Sequence, residues 1–151
     1  FSIFGFFILN FPPAKIYMGD SGSLFIGFVL GFISILFDWS PENQNILYNS
    51  FTPVLLFFSI PLLDFATVFT FRIKNKISPT TGGTDHISHR LLKSGKTVKG
   101  VLRIFVLINI LIFSLLSLSI IYSQYSIIFL ILYAVFVFYL FFKFSKMDVL
   151  D

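Results

Sequence analysis

Asn10 to Phe37 reads NFPPAKIYMGDSGSLFIGFVLGFISILF, and the change of character inside it decides the fold. Pro12-Pro13 stops a helix, because proline lacks the backbone N–H and restricts the residue before it. Lys15 and Asp20 stand at the end of this irregular polar segment, and from Ser21 to Phe37 the chain is almost uninterruptedly apolar. Gly22, Gly27 and Gly31 sit on that run, as membrane helices tolerate where backbones approach closely. A bilayer-spanning helix needs about 20 predominantly apolar residues. The stretch therefore reads as a polar site facing a membrane.

Working outward, 56% hydrophobic and 12% charged residues with a mean hydropathy of +0.91 exclude an ordinary soluble domain. Twenty-three Phe supply much of the apolar surface, and the absence of Cys excludes disulfides and thiolate metal sites. Phe1 to Leu9 is apolar but too short to span and lacks the basic flank and cleavage site of a signal peptide. It reads as the end of a preceding helix, so the chain is expected to be the C-terminal part of a larger membrane protein and inactive alone.

Further apolar runs follow at Phe51 to Phe71, interrupted by Pro53 and Pro61, then at Val101 to Tyr122 and Ile127 to Phe142 around Ser123-Gln124-Tyr125. Between them lie a polar loop over Asp38 to Asn49, with Asp38 and Glu42 but no Lys or Arg, and a long polar loop over Ile77 to Gly100. The expected fold is an all-α polytopic membrane protein: four full transmembrane helices plus the end of a preceding one. With four crossings, all 11 Lys and Arg fall on one side. The positive-inside rule then makes 10–20, 73–100 and the tail with Lys143 and Lys146 cytoplasmic, with Asn45 outside and Ser94 inside. That placement accounts for the net charge of +4 without nucleic acid.

Candidate chemistry concentrates in three places. Asp20, at the start of a membrane helix, is either an N-cap or a ligand of Mg²⁺, which takes one or two carboxylates and completes its shell with water and phosphate. The helix N-terminus itself favours phosphate oxygens, and Lys15 adds a compact positive charge nearby. The GDSG string is not that of a trypsin-like protease, because Ser23 follows and the flanks are membrane helix. Asp64 lies within a span, about 12 Å along the helix from Arg72. An intramembrane carboxylate is functional by default, and an internal partner for a basic or hydroxyl side chain is the alternative. Gly82 to Leu91, GGTDHISHRL, holds the only two histidines, His86 and His89, on one face if the stretch is helical. It could be a zinc pair with further ligands or an ordinary solvated loop.

The Asn10–Ser23 string resembles a signature loop of the polyprenyl-phosphate N-acetylhexosamine-1-phosphate transferases (glycosyltransferase family 4), in which an aspartate contributes to magnesium and diphosphate binding. The resemblance implies that role for Asp20 as catalytic and metal residue, with substrate contacts from Lys15 and Asn10. Gly82–Leu91 resembles the cytoplasmic histidine loop of the same family, commonly His-x-His-His-Arg-Leu, with Ser88 here at the middle histidine. It implies donor contacts from His86, His89 and Arg90, with Asp85 a weaker candidate, and argues against the muramoyl-pentapeptide branch. Pro61-Leu62-Leu63-Asp64 resembles a third, weaker pattern.

The implied function is transfer of a sugar-1-phosphate from a UDP-sugar, such as UDP-N-acetylglucosamine, to undecaprenyl phosphate with release of UMP, starting cell-envelope polysaccharide synthesis. It implies residues 1–151 as part of a single transmembrane transferase domain, with Mg²⁺ or Mn²⁺ as cofactor. The setting would be the inner (cytoplasmic) membrane, with membrane lipid as a partner and a homodimer left open. The rival readings are a transporter or channel segment with Asp64 as an ion-coupling carboxylate, and a purely structural membrane subunit.

Overall fold

The structure is a computed structural model that describes residues 2–36 and 46–147. It divides into two compact units, Phe1–Trp39 and Ser40–Asp151.

The first unit holds α1 (Ser2–Asn10) and α2 (Gly19–Leu36), separated by the irregular segment 11–18. The proline pair ends α1, and the chain turns back so that the Lys15 N–H donates to the Leu9 carbonyl at 3.1 Å. Gly19 opens α2 at φ +68, a left-handed conformation that glycine adopts without Cβ strain. Leu24, Phe25, Phe28 and Ile35 of α2 are exposed, giving the apolar surface that lipid, not water, solvates.

The second unit begins with α3 (Ile46–Lys74) and continues through α4 (Ile87–Lys93), α5 (Val98–Ile121), a 3₁₀ turn at Ser123–Tyr125 and α6 (Ser126–Ser145). Among the described residues, four helices are long and apolar enough to cross a membrane: α2, α3 over Val54–Lys74, α5, and Ser123–Ser145. They match the four expected spans. Three expectations are corrected. The second span is not interrupted at Pro53 and Pro61, since α3 runs through both; neighbouring groups in a membrane helix can satisfy a carbonyl that proline leaves open. Its start at Ile46 also shortens the expected 38–49 loop, while Asp38, Glu42 and Asn45 lie outside the described residues.

The third correction concerns the 77–100 loop, which contains a helix and the first turn of the next. Thr97 caps α5, which starts at Val98, three residues before Val101, because the Thr97 side chain accepts the Gly100 N–H at 3.1 Å. Helix α4 has seven residues, far too few to stand alone, so it depends on docking. Ile87 and Leu91, one turn apart, are both buried in a core shared with Leu63, Val101, Leu140 and Phe144. The same core continues along α5 through Ile108, Ile112 and Leu116, the spacing of one helix face turned toward α3 and α6. Within this bundle the Ser59 and Tyr133 hydroxyls share a hydrogen bond of 2.9 Å between α3 and α6. The 77–97 segment thus closes one end of a three-helix bundle.

Candidate active site

The end of α3 determines how that segment folds back. Ile77 N–H bonds the Arg72 carbonyl at 2.8 Å and Lys76 N–H bonds that of Ile73 at 3.1 Å, a left-handed helix stop with Lys76 at φ 56. The chain then returns beside α3, and Arg72 organises the return. Its Nε and Nη2 donate to Asp85 Oδ2 and Oδ1, both at 2.6 Å, while Nη1 donates to the carbonyls of Pro79, at 3.0 Å, and Thr81. Both partners are buried. The Arg72 hydrogen bonds hold the Asp85 carboxyl below its ordinary value, against the opposing effect of burial. Gly83 is required here, since a Cβ would come within 2.7 Å of both Arg72 Nη2 and Asp85 Oδ1.

One turn further, the backbone enters α4 at His86, whose extended conformation makes it the residue before the helix and not part of it. His86 and His89 therefore do not share a helical face as the sequence spacing implied. His86 Nδ1 lies 2.7 Å from Asp64 Oδ2, and Asp64 Oδ1 accepts the Ile87 N–H at 2.7 Å. A carboxylate accepts and does not donate, so Nδ1 carries the proton in this contact and Nε2 is left for a ligand. Asp64 and half-exposed His86 line an open pocket of about 390 Å³ with Pro61, Phe65, Phe69 and Gly82.

Arg90, expected at the diphosphate, is fully buried. Its Nε donates to the Asp85 carbonyl at 2.7 Å, its Nη1 to the Phe144 carbonyl at 3.1 Å, and its Cζ lies 4.8 Å from the centre of the Phe71 ring. Burial lowers the Arg90 guanidinium from its ordinary value. A cation at the carbonyl end of α6 also meets the favourable end of that helix dipole. Arg90 is thus an internal tie between α4, α3 and α6, and direct contact with a soluble donor does not fit this position. Asp85 is engaged through both carboxylate oxygens and its carbonyl. His89 is exposed on α4, and among the described residues nothing is hydrogen-bonded to it.

In the first unit, Asn10 ends α1, Lys15 is exposed in the segment after it, and Asp20 is exposed in the first turn of α2. The N-cap reading is not what the structure shows: Asp20 lies inside the helix, its backbone carbonyl accepts the Ser23 hydroxyl at 3.1 Å, and among the described residues nothing is hydrogen-bonded to its carboxylate. That free carboxylate suits Mg²⁺, which needs few protein ligands. Among the described residues no three His, Asp or Glu converge on a metal position, so water and phosphate would fill the rest of the shell. Asp64 is less suited, with both oxygens already bonded.

Sequence reasoning missed Arg72 as a site residue, taking it only as an orientation charge. The signal was present: Asp64, Val68 and Arg72 follow one another at four-residue steps and line the same pocket.

Residues 1–38 match the model of glycosyl transferase family 4. The chain is 35% identical over 94 residues to a probable undecaprenyl-phosphate N-acetylglucosaminyl 1-phosphate transferase of Bacillus subtilis, covering 62% of this chain and 25% of that protein. It is 35% identical over 118 residues to the decaprenyl-phosphate N-acetylglucosaminephosphotransferase of Mycolicibacterium smegmatis, covering 72% of this chain and 29% of the relative. An undecaprenyl-phosphate alpha-N-acetylglucosaminyl 1-phosphate transferase of Thermotoga maritima is 30% identical over 114 residues, which cover 74% and 36%. The chain thus spans between 25 and 36% of the length of these relatives. No solved structure matches it.

Proposed function

Because the chain belongs to glycosyl transferase family 4, we propose that it carries active-site residues of a membrane enzyme that transfers N-acetylhexosamine-1-phosphate from a UDP-sugar to undecaprenyl phosphate, releasing UMP. The observation that carries this reading is Asp20: an exposed, unengaged carboxylate in the first turn of an apolar helix of 18 residues. The reaction needs such a boundary. A long polyprenyl tail stays in the bilayer while its phosphate meets a soluble nucleotide at the cytoplasmic face of the inner membrane, where the sequence's charge distribution assigns the polar segments.

The lipid phosphate oxygen attacks the phosphorus linked to the sugar, and the bond to the UMP oxygen breaks. Lys15 offsets negative charge on the phosphates, and the free N–H groups of the α2 N-terminus favour the same oxygens. On the second unit, the resemblance assigns contacts with the nucleotide-sugar donor to His86, whose Nδ1–H rests on Asp64, and to exposed His89. Arg90 acts indirectly by fixing α4 on the bundle. Mg²⁺, when bound at Asp20, would neutralise charge on the diphosphate oxygens. The ion-coupling alternative loses its main support, because Asp64 already bonds His86 and the Ile87 N–H.

The test is UMP release by membranes containing the enzyme, measured against donor and Mg²⁺. Asp20→Asn should lower the rate on the order of 100-fold or more. Near-normal release would remove Asp20 from the chemistry.

A further inference from the structure

Asp64 faces two donors at once: the His86 ring through Oδ2 and the Ile87 N–H through Oδ1, each at 2.7 Å. His86 provides no side-chain cap to α4, so a carboxylate reaching across from α3 does so in its place. The two bonds act together. One fixes where α4 starts, hence where the His86 backbone stands, and the other fixes the ring on that backbone. The apolar side of the arrangement holds it firm, since Ile87 is completely buried and Leu63, the residue before Asp64, is nearly so. Among the described residues lining the pocket, His86 and Asp64 bring side-chain charge or imidazole to its open face, while Arg72, on its wall, is occupied by Asp85.

We infer that Asp64 is the positioning residue for His86, holding the ring through Nδ1–H so that the imidazolium, protonated on both nitrogens when phosphate is bound, presents Nε2–H to the donor. This deepens the transferase reading and rests on it for the identity of the donor. The requirement is for Asp specifically, because the site offers two donors and Asn has one acceptor oxygen. If Asn keeps the Ile87 N–H, its amide N–H₂ faces Nδ1, which must then give up its proton. The ring becomes neutral with the hydrogen on Nε2, and the phosphate contact loses its charge assistance.

The test uses histidine-selective ¹⁵N NMR of the chain in nanodiscs, with His89→Gln assigning the two ring systems, alongside UMP release by the intact enzyme. In the wild type, His86 Nδ1 is protonated. In Asp64→Asn, Nδ1 is unprotonated, the melting temperature stays close to wild type, and donor KM rises about 10-fold or more while kcat changes less. A protonated Nδ1 in Asp64→Asn, or an unchanged donor KM despite the altered tautomer, would overturn the inference. Should Asp64→Asn fail to fold, Asp64→Glu in wild-type and His86→Gln backgrounds decides. Non-additive effects on donor KM support positioning, and additive effects contradict it. A wild-type enzyme that releases no UMP would sink the transferase reading alone, since the NMR experiment reads Asp64 without turnover.

Discussion

The segments 10–23 and 82–91 both resemble functional loops of the same enzymes, yet the charges in and around them are treated in opposite ways. In the first, Lys15 and Asp20 are exposed, and among the described residues nothing is hydrogen-bonded to the Asp20 carboxylate. In the second, Arg72 bonds Asp85, Arg90 bonds backbone carbonyls, and Asp64 bonds His86. A polar residue in a signature loop can therefore hold ligand or hold the loop. Burial and partners separate the two cases: a guanidinium enclosed at 0% exposure and tied to backbone carbonyls is out of reach of a soluble phosphate, whereas an unpaired carboxylate in water is free to bind a cation.

The largest expected effect breaks the second region. Arg90→Ala removes hydrogen bonds to the backbone carbonyls of Asp85, Phe144 and Met147 and leaves a buried void, for an expected loss of about 3 to 5 kcal/mol. Arg90→Lys should not restore it, because a single ammonium cannot span the positions that the planar guanidinium bridges. Thermal unfolding in nanodiscs measures both, and a melting temperature unchanged in Arg90→Ala would return Arg90 to the ligand side.

Acid titration sharpens the contrast at an intermediate level. Asp85 has a carboxyl held below its ordinary value of about 3.9, so its stabilising effect is fully present above that value. It is lost as pH falls from there through the lower folded-state value. Wild-type protein should lose stability over that acidic window, and Asp85→Asn, already weakened at neutral pH, should lose less. Parallel melting curves from pH 6 downward check this, and identical pH dependence in the two proteins would contradict the pair's role.

The smallest effect lies at the helix stop between α3 and the loop. Lys76 occupies a left-handed conformation at φ 56, costly for a residue with a Cβ. Lys76→Gly should raise stability by up to about 1 kcal/mol, less the entropy that glycine gains in the unfolded chain. A clear loss of stability would show that the Lys76 side chain, not its backbone, matters there.

Much of the fold was legible in the sequence because apolar runs of membrane length have few other solutions: α2, α5 and α6 lie within a few residues of the expected spans. Helix α4 was not, since seven residues carry no periodic signal by themselves and their order comes from docking onto α3, α5 and α6. The pairing of Arg72 with Asp85 was hidden for a related reason. It depends on a helix stop at Lys76 that folds the chain back, and a lysine gives no warning of a left-handed backbone. Arg90 could have been read better. It sits beside Leu91 and one turn from Ile87, on the face that had to be buried if that stretch became a helix.

The most direct test is the melting temperature without ligand and its shift on adding UDP-N-acetylglucosamine with Mg²⁺, compared for the wild type, Asp20→Asn and Asp85→Asn of the intact enzyme. A ligand that binds only the folded state raises its melting temperature by mass action. The account predicts that Asp20→Asn melts where wild type does without ligand and loses the shift, whereas Asp85→Asn melts lower without ligand and keeps the shift. An Asp20→Asn protein that melts early, or an Asp85→Asn protein that melts normally and no longer responds to donor, would contradict it.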